Sequence, residues 1–166
     1  AGDHLKEASD LGLPLTAMGF MYAQGYFSQR ITEDGWQEAL NRMLDFKNLP
    51  ALPVLDEHGN RLTVEVEFPD RFVTLGLWEI RVGRVPLYLL DSNLDPNSDF
   101  DKNLTARLYW SDLDRRIMQE LLLGVGGVRA LRALGYNPSV WHMNEGHAAF
   151  LILERAREFI AGGDTL

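Results

Sequence analysis

Leu121-Leu122-Leu123-Gly124-Val125-Gly126-Gly127-Val128-Arg129-Ala130-Leu131-Arg132-Ala133-Leu134-Gly135 can be read in two ways, and the choice sets the fold. As a strand entering a Gly-rich turn and then a helix, it mimics the opening of a dinucleotide-binding unit. Two features oppose that reading. The third glycine of such a fingerprint falls on Arg129. In addition, Leu113, Ile117, Leu121, Val125, Val128, Leu131 and Leu134 keep steps of four and three straight through the glycines, where a turn would reset the phase. The stretch therefore predicts one long amphipathic helix from Asp112, closed by Gly135, whose glycines admit a close neighbour.

Downstream, Asn137-Pro138 turns the chain, and Ser139-Val140-Trp141-His142-Met143 predicts a short strand. Asn144 is placed to cap a final helix with the stripe Ala149, Ile152, Leu153, Ala156, Phe159 and Ile160, ended by Gly162-Gly163. Upstream, Asp3 reads as the cap of a first helix running to about Leu11 and stopped by Gly12 and Pro14. The unbroken apolar run Leu13 to Tyr22 has the character of a strand covered on both faces. Gln24 to Arg30 reads as a polar and aromatic loop, and Thr32 as the cap of a helix over Glu33 to Phe46, with Trp36, Leu40 and Met43 on one face. Thr63 to Phe68 alternates as a half-solvated strand does, Phe72 to Val82 follows the Pro69-Asp70 turn, and Val85 to Asp91 returns to the unbroken apolar type. The expectation is a single α/β domain over residues 1–166, a parallel sheet flanked by helices, with an antiparallel hairpin or meander inserted at about 53–83.

The 166 residues carry 46% hydrophobic and 24% charged side chains, no cysteine and a formal charge of −8. Absence of cysteine removes disulfides, zinc ribbons and thiol nucleophiles. Excess acid repels phosphate backbones and anionic lipid, so neither nucleic acid nor a membrane surface is an expected partner. No apolar run approaches the roughly 18 residues of a membrane span, and no signal peptide is read, so the expected location is cytoplasmic. The chain opens Ala1-Gly2-Asp3-His4 without an initiator methionine, which fits a trimmed or excised piece.

Among possible sites, Asp91, Asn93, Asp95 and Asn97 alternate like calcium ligands, but Pro96 stands where glycine is needed and Lys102 where the bidentate glutamate belongs, so a solvated loop is expected. His142 and His147 are five apart, not the four that a helical zinc site requires. Asn144-Glu145-Gly146-His147 instead reads as the first turn of a helix at the carboxyl end of a core strand, where open α/β sheets bind polar ligands. There Gly146 would let a ligand approach the backbone, while Glu145 and His147 offer hydrogen bonds. There is no nucleophile elbow and no P-loop. A carboxylate pair acting across the fold stays open, and Tyr22, Tyr26, Phe27, Tyr109 and Trp110 read equally as a sugar-stacking surface or as core.

Ala1 to Leu15, Gln24-Gly25-Tyr26-Phe27-Ser28-Gln29, Arg84-Val85-Pro86-Leu87-Tyr88-Leu89-Leu90-Asp91, Gly124 to Gly135 and above all His142-Met143-Asn144-Glu145-Gly146-His147-Ala148-Ala149-Phe150-Leu151 resemble the α-glucan phosphorylases of the short bacterial and archaeal type. The resemblance implies a Rossmann-like sheet, one half of a two-domain glycosyltransferase that reversibly phosphorolyses α-1,4-glucan or maltodextrin to glucose 1-phosphate. It implies that this chain is part of the N-terminal domain and wants a C-terminal domain as partner, in an enzyme that is homo-oligomeric. It further implies pyridoxal phosphate as cofactor of the whole enzyme, with the cofactor lysine absent from this chain. The family's sugar-subsite element falls on Asn144, Glu145 and His147. Its gate loop falls on Arg107, Leu108, Tyr109, Trp110 and Asp112, where Leu-Tyr-Gly-Gly-Asp is expected and both glycines are replaced. Arg116, Gln119 and Glu120 also match, as structural residues of the helix. No catalytic residue is expected within the chain. The rival reading is a stand-alone carbohydrate- or nucleotide-binding module without catalysis.

Overall fold

A computed structural model describes residues 2–25, 28–40, 44–108 and 112–163. Helix α1 (Gly2–Asp10) is followed by strand β1 (Ala17–Phe20), a hairpin of β2 (Ser28–Ile31) and β3 (Gln37–Leu40), then β4 (Leu52–Pro53), β5 (Thr63–Phe68), β6 (Arg71–Val82) and β7 (Val85–Asp91). The remaining helices are α2 (Asp99–Lys102), α3 (Leu113–Leu121), α4 (Gly127–Ala133) and α5 (Leu151–Ala161). One mixed sheet runs β1-β7-β6-β4, with β5 also on β6, and its parallel step is β1 against β7, from Ala17 beside Leu87 to Phe20 beside Leu90. The antiparallel strands expected within 53–83 thus hydrogen-bond into the same sheet as the parallel pair. β1 ends the sheet, and its outer edge pairs with no strand among the described residues.

Period two explains β5: Val64 and Val66 turn inward while Thr63, Glu65 and Glu67 stay exposed. Facing them, Val73, Leu75 and Leu77 of β6, together with Leu90 of β7, form a core closed by Leu104, Leu122, Val125 and Ala130. The Gly-rich stretch is helical throughout, as its unbroken stripe requires: α3 passes through a π turn, Leu122–Gly126, into α4. A π turn is one extra residue in the helical ladder, and here it coincides with the glycines. A Cβ on Gly124 would lie 2.5 Å from Leu151 N and 2.7 Å from Phe150 C, and one on Gly126 would lie 2.6 Å from Leu75 Cδ1. Gly135, at φ 82°, terminates the unit.

Four expectations need correction. Asp3 lies inside the first turn of α1, which starts at Gly2. The β2–β3 hairpin (Ser28–Leu40) takes the place of part of the loop expected over Gln24–Arg30 and of the first part of the helix expected over Glu33–Phe46; residues 41–43 of that expected helix, Met43 among them, lie outside the described residues. The hairpin's turn explains why: Gly35 sits at φ 82°, and Thr32 Oγ1 accepts from Trp36 N at 3.1 Å, a local bond that competes with helix. Ser139–Met143 carries no regular secondary structure and pairs with no strand among the described residues. Asp91–Thr105 is only partly a solvated loop: Asn93 and Asp95 are exposed, but Asp91, Ser92, Asn97, Asp101 and Thr105 are buried, with Asp91 held by Trp78 and Arg61 and Ser92 bonded to Thr105, Asn97 and the Asp101 carbonyl. Asn97 exchanges hydrogen bonds with the Thr74 backbone (2.8 and 2.7 Å) and Asp101 holds Arg71 at 2.9–3.1 Å. Burial would raise the Asp101 pKa, but hydrogen bonds from Arg71 and Ser98 outweigh it and hold the carboxyl below its usual range.

Candidate functional site

The site read from sequence follows the irregular segment 139–143. Asn144 has φ −95° and ψ 102°, and Glu145–Ala148 form one 3-10 turn, separated by two residues from α5. The long helix N-terminus anticipated there is therefore absent: the capping residue makes no side-chain hydrogen bond, and the helix proper begins at Leu151. In its place is a strained backbone. Glu145, at φ 58°, is the one non-glycine residue with positive φ among the described residues. That conformation costs on the order of 1–2 kcal/mol and persists only when surroundings impose it. Its effect is to project the Glu145 side chain, 77% exposed, away from the fold, with Oε2 3.8 Å from His147 Nε2. A Cβ on Gly146 would meet nothing within 4 Å, so the space over that backbone is open, as a ligand's approach requires. His142 lies outside this cluster, its ring edge-on to His4 at 5.9 Å. No group of three or more His, Cys, Asp or Glu able to hold a metal occurs among the described residues.

Two supports hold the turn. It packs on α3 and on the π turn, and Phe150 and Leu151 sit against Gly124, so the missing glycine side chain fixes the height at which α5 enters. Across α4 and α5 runs an ionic ladder. Glu154 is 3% exposed and accepts from Arg129 Nε at 2.9 Å and from Arg157 Nη2 at 2.7 Å, while Glu158 accepts from Arg132 Nε at 3.0 Å and from Arg155. Burial pushes the Glu154 pKa up, and the hydrogen bonds from Arg157 and Arg129 more than reverse this. Helix α5 thus turns its charged side inward and its apolar stripe outward.

Of the segment read as a gate, Tyr109 and Trp110 lie outside the described residues, as does Ser111. Its ends are built in. Arg107 holds Gln24 Oε1 at 2.9 and 2.6 Å, Leu108 is half-buried, and Asp112 caps α3 by accepting from Asp114 N at 3.0 Å. Gln119, buried, donates to the carbonyls of Leu104 and Arg107 at 2.6 and 2.8 Å, and Arg116 pairs with Glu120, so all three are structural as read. Tyr22 is half-buried against Phe20 and belongs to the core margin, while Tyr26 and Phe27 lie outside the described residues. Sequence reasoning missed a cavity of about 430 Å³ at the carboxyl ends of β1 and β7, lined by Met21, Ala23, Asp91, Asn93, Lys102 and Ala106 among others. Its signal was the parallel pair itself, since α/β sheets bind ligands at that end.

No family model matches the chain. Individual proteins do. A glycogen phosphorylase of Mycobacterium tuberculosis is 49% identical over 166 residues, covering 96% of this chain and 19% of that protein. A maltodextrin phosphorylase of Thermococcus litoralis is 45% identical over 163 residues, covering 98% and 20%, and a glycogen phosphorylase of Aquifex aeolicus is 42% identical over 165 residues, covering 99% and 24%. This chain is a relative of the glycogen and maltodextrin phosphorylases. It spans about a fifth to a quarter of the length of the curated relatives it matches. The aligned regions cover nearly the whole chain.

Proposed function

We propose that this chain forms one wall of the glucan cleft of an α-glucan phosphorylase, with Asn144, Glu145 and His147 hydrogen-bonding sugar hydroxyls and the 107–112 segment bordering the entry. The observation that carries the reading is the 42–49% identity to named phosphorylases across almost every residue. The strained, outward Glu145 beside His147 supports it, since exposed polar groups on an imposed backbone suit a neutral polyhydroxyl ligand better than a packing role. An acidic surface agrees with an uncharged substrate.

Lys6 and Lys102 do not fit pyridoxal phosphate. Lys6 lies exposed beside Asp3, and Lys102 pairs with Asp95 near Asp91 and Asp99, surroundings that repel a phosphate. The cofactor and the proton transfers are assigned to polypeptide outside this chain, and no side chain here is a proton donor. We place the whole protein in the cytoplasm; no helix among the described residues is long and apolar enough to cross a membrane. A stand-alone binding module draws no support from relatives named as phosphorylases.

The test compares glucose 1-phosphate release from maltodextrin and phosphate by this chain alone and by a longer protein carrying it. Release by the longer protein and none by the chain alone is expected. Release by the chain alone, or by neither, overturns the proposal.

A further inference from the structure

Helix α5 is amphipathic in the reverse sense to a surface helix of a finished domain. Its buried face carries Glu154, while Ile152, Leu153, Phe159 and Ile160, one stripe at steps of one, six and one, are 56, 62, 46 and 57% exposed. Single exposed apolar residues need no explanation, but four aligned on one helix face form a patch that water disfavours.

The rim of the patch is specific. Arg155 lies 4.7 Å from the centre of the Phe159 ring and 5.2 Å from that of Trp141, which Arg132 also faces at 5.5 Å. Three arginines, 132, 155 and 157, against two glutamates, 154 and 158, leave this edge positive in a chain of formal charge −8. Trp141 Nε1 is buried and has no hydrogen-bond partner among the described residues. A buried indole N–H without an acceptor is costly.

We propose that the outer face of α5 is the docking surface for the rest of a longer polypeptide, taken by an apolar segment flanked by acidic residues. Three observations choose that occupant. The relatives extend far beyond the aligned region, which is 19–24% of their length, so most of such a protein is available to cover the face. A stripe of three aliphatic side chains and Phe159 offers no hydrogen bonds to glucan. The positive edge would attract anionic lipid locally, but the overall charge of −8 opposes it. The inference rests on the phosphorylase reading in taking the longer polypeptide from it.

Hydroxyl-radical labelling of the intact longer protein, with the same protein unfolded in denaturant as reference, tests it. Left half exposed, the four side chains would be protected only about twofold; covered, about tenfold or more. Tenfold protection of Leu153, Phe159 and Ile160 is the expected result, and twofold protection overturns the proposal. Glucose 1-phosphate release by the same preparation is scored separately. Release with twofold protection removes the docking surface and leaves the proposed function standing, and tenfold protection without release does the reverse.

Discussion

Replacing Gly124 with alanine decides whether the glycines of the long helix are there for packing. In a helix interior the change removes a flexible residue and by propensity alone stabilises by about 1 kcal/mol. Against that, the new Cβ would stand 2.5 Å from Leu151 N and 2.7 Å from Phe150 C, both main-chain atoms in the entry to α5. Ordinary contact begins near 3.4 Å, so the entry must move by about 0.9 Å, pulling on the Glu154 and Glu158 hydrogen bonds as it goes. Overpacking of this kind costs roughly 1–3 kcal/mol, and the lost ladder geometry adds to it. The net expectation is destabilisation by about 2 kcal/mol, a factor of roughly 30 in the folding equilibrium. Gly126→Ala meets side chains and no main-chain atom, Leu75 Cδ1 at 2.6 Å and Val66 Cγ2 at 3.2 Å, and should cost less than Gly124→Ala. Urea unfolding followed by far-UV circular dichroism reads both variants, as a midpoint shift at constant slope. A Gly124→Ala protein stabilised by about 1 kcal/mol would refute the close-packing argument.

Glu154→Ala leaves Arg129 without its buried partner and should cost about 2–3 kcal/mol in the same titration, whereas Ile152→Ala, exposed in this chain, should stay within about 0.5 kcal/mol. Asp101, Glu154 and Glu158 all have pKa values held below the usual range, so their contribution is fully present above the unfolded-state values, by about pH 5, and is lost as pH falls through the folded values; thermal melts should be flat above pH 5 and fall steeply below 4, less steeply in Arg71→Ala. Glu145→Gly relieves the positive φ and should raise stability by up to about 1 kcal/mol while weakening maltodextrin binding by the longer protein, as calorimetry would show.

What could be read from the sequence followed from periodicity with one competing partner. Thr63–Phe68 formed as read, and Leu113–Leu134 is helical as read, although a π turn interrupts it and Leu113 and Ile117 at the start of its stripe are exposed. Trp36, Leu40 and Met43 fit a helix by spacing, but Thr32 and Gly35 favour a tight turn, and that local chemistry decided the hairpin. The α5 stripe has the right period and faces the other way, because Arg129 and Arg132 offer its glutamates better partners than the core offers its isoleucines. Burial within Asp91–Thr105 was hidden for a related reason: turn formers look solvated until their hydrogen bonds are seen. At the candidate site the residues were legible from resemblance, whereas the strain at Glu145 was not, since no residue pattern announces a left-handed glutamate.

Steady-state phosphorolysis by a longer protein carrying His147→Ala or Glu145→Gln, varied separately in maltodextrin and in phosphate, tests the central claim most directly. Loss of one or two hydrogen bonds to sugar at about 0.5–1.5 kcal/mol each should raise the glucan KM about tenfold and leave the phosphate KM in place. An unchanged glucan KM in both variants would contradict the assignment of this turn to the glucan cleft.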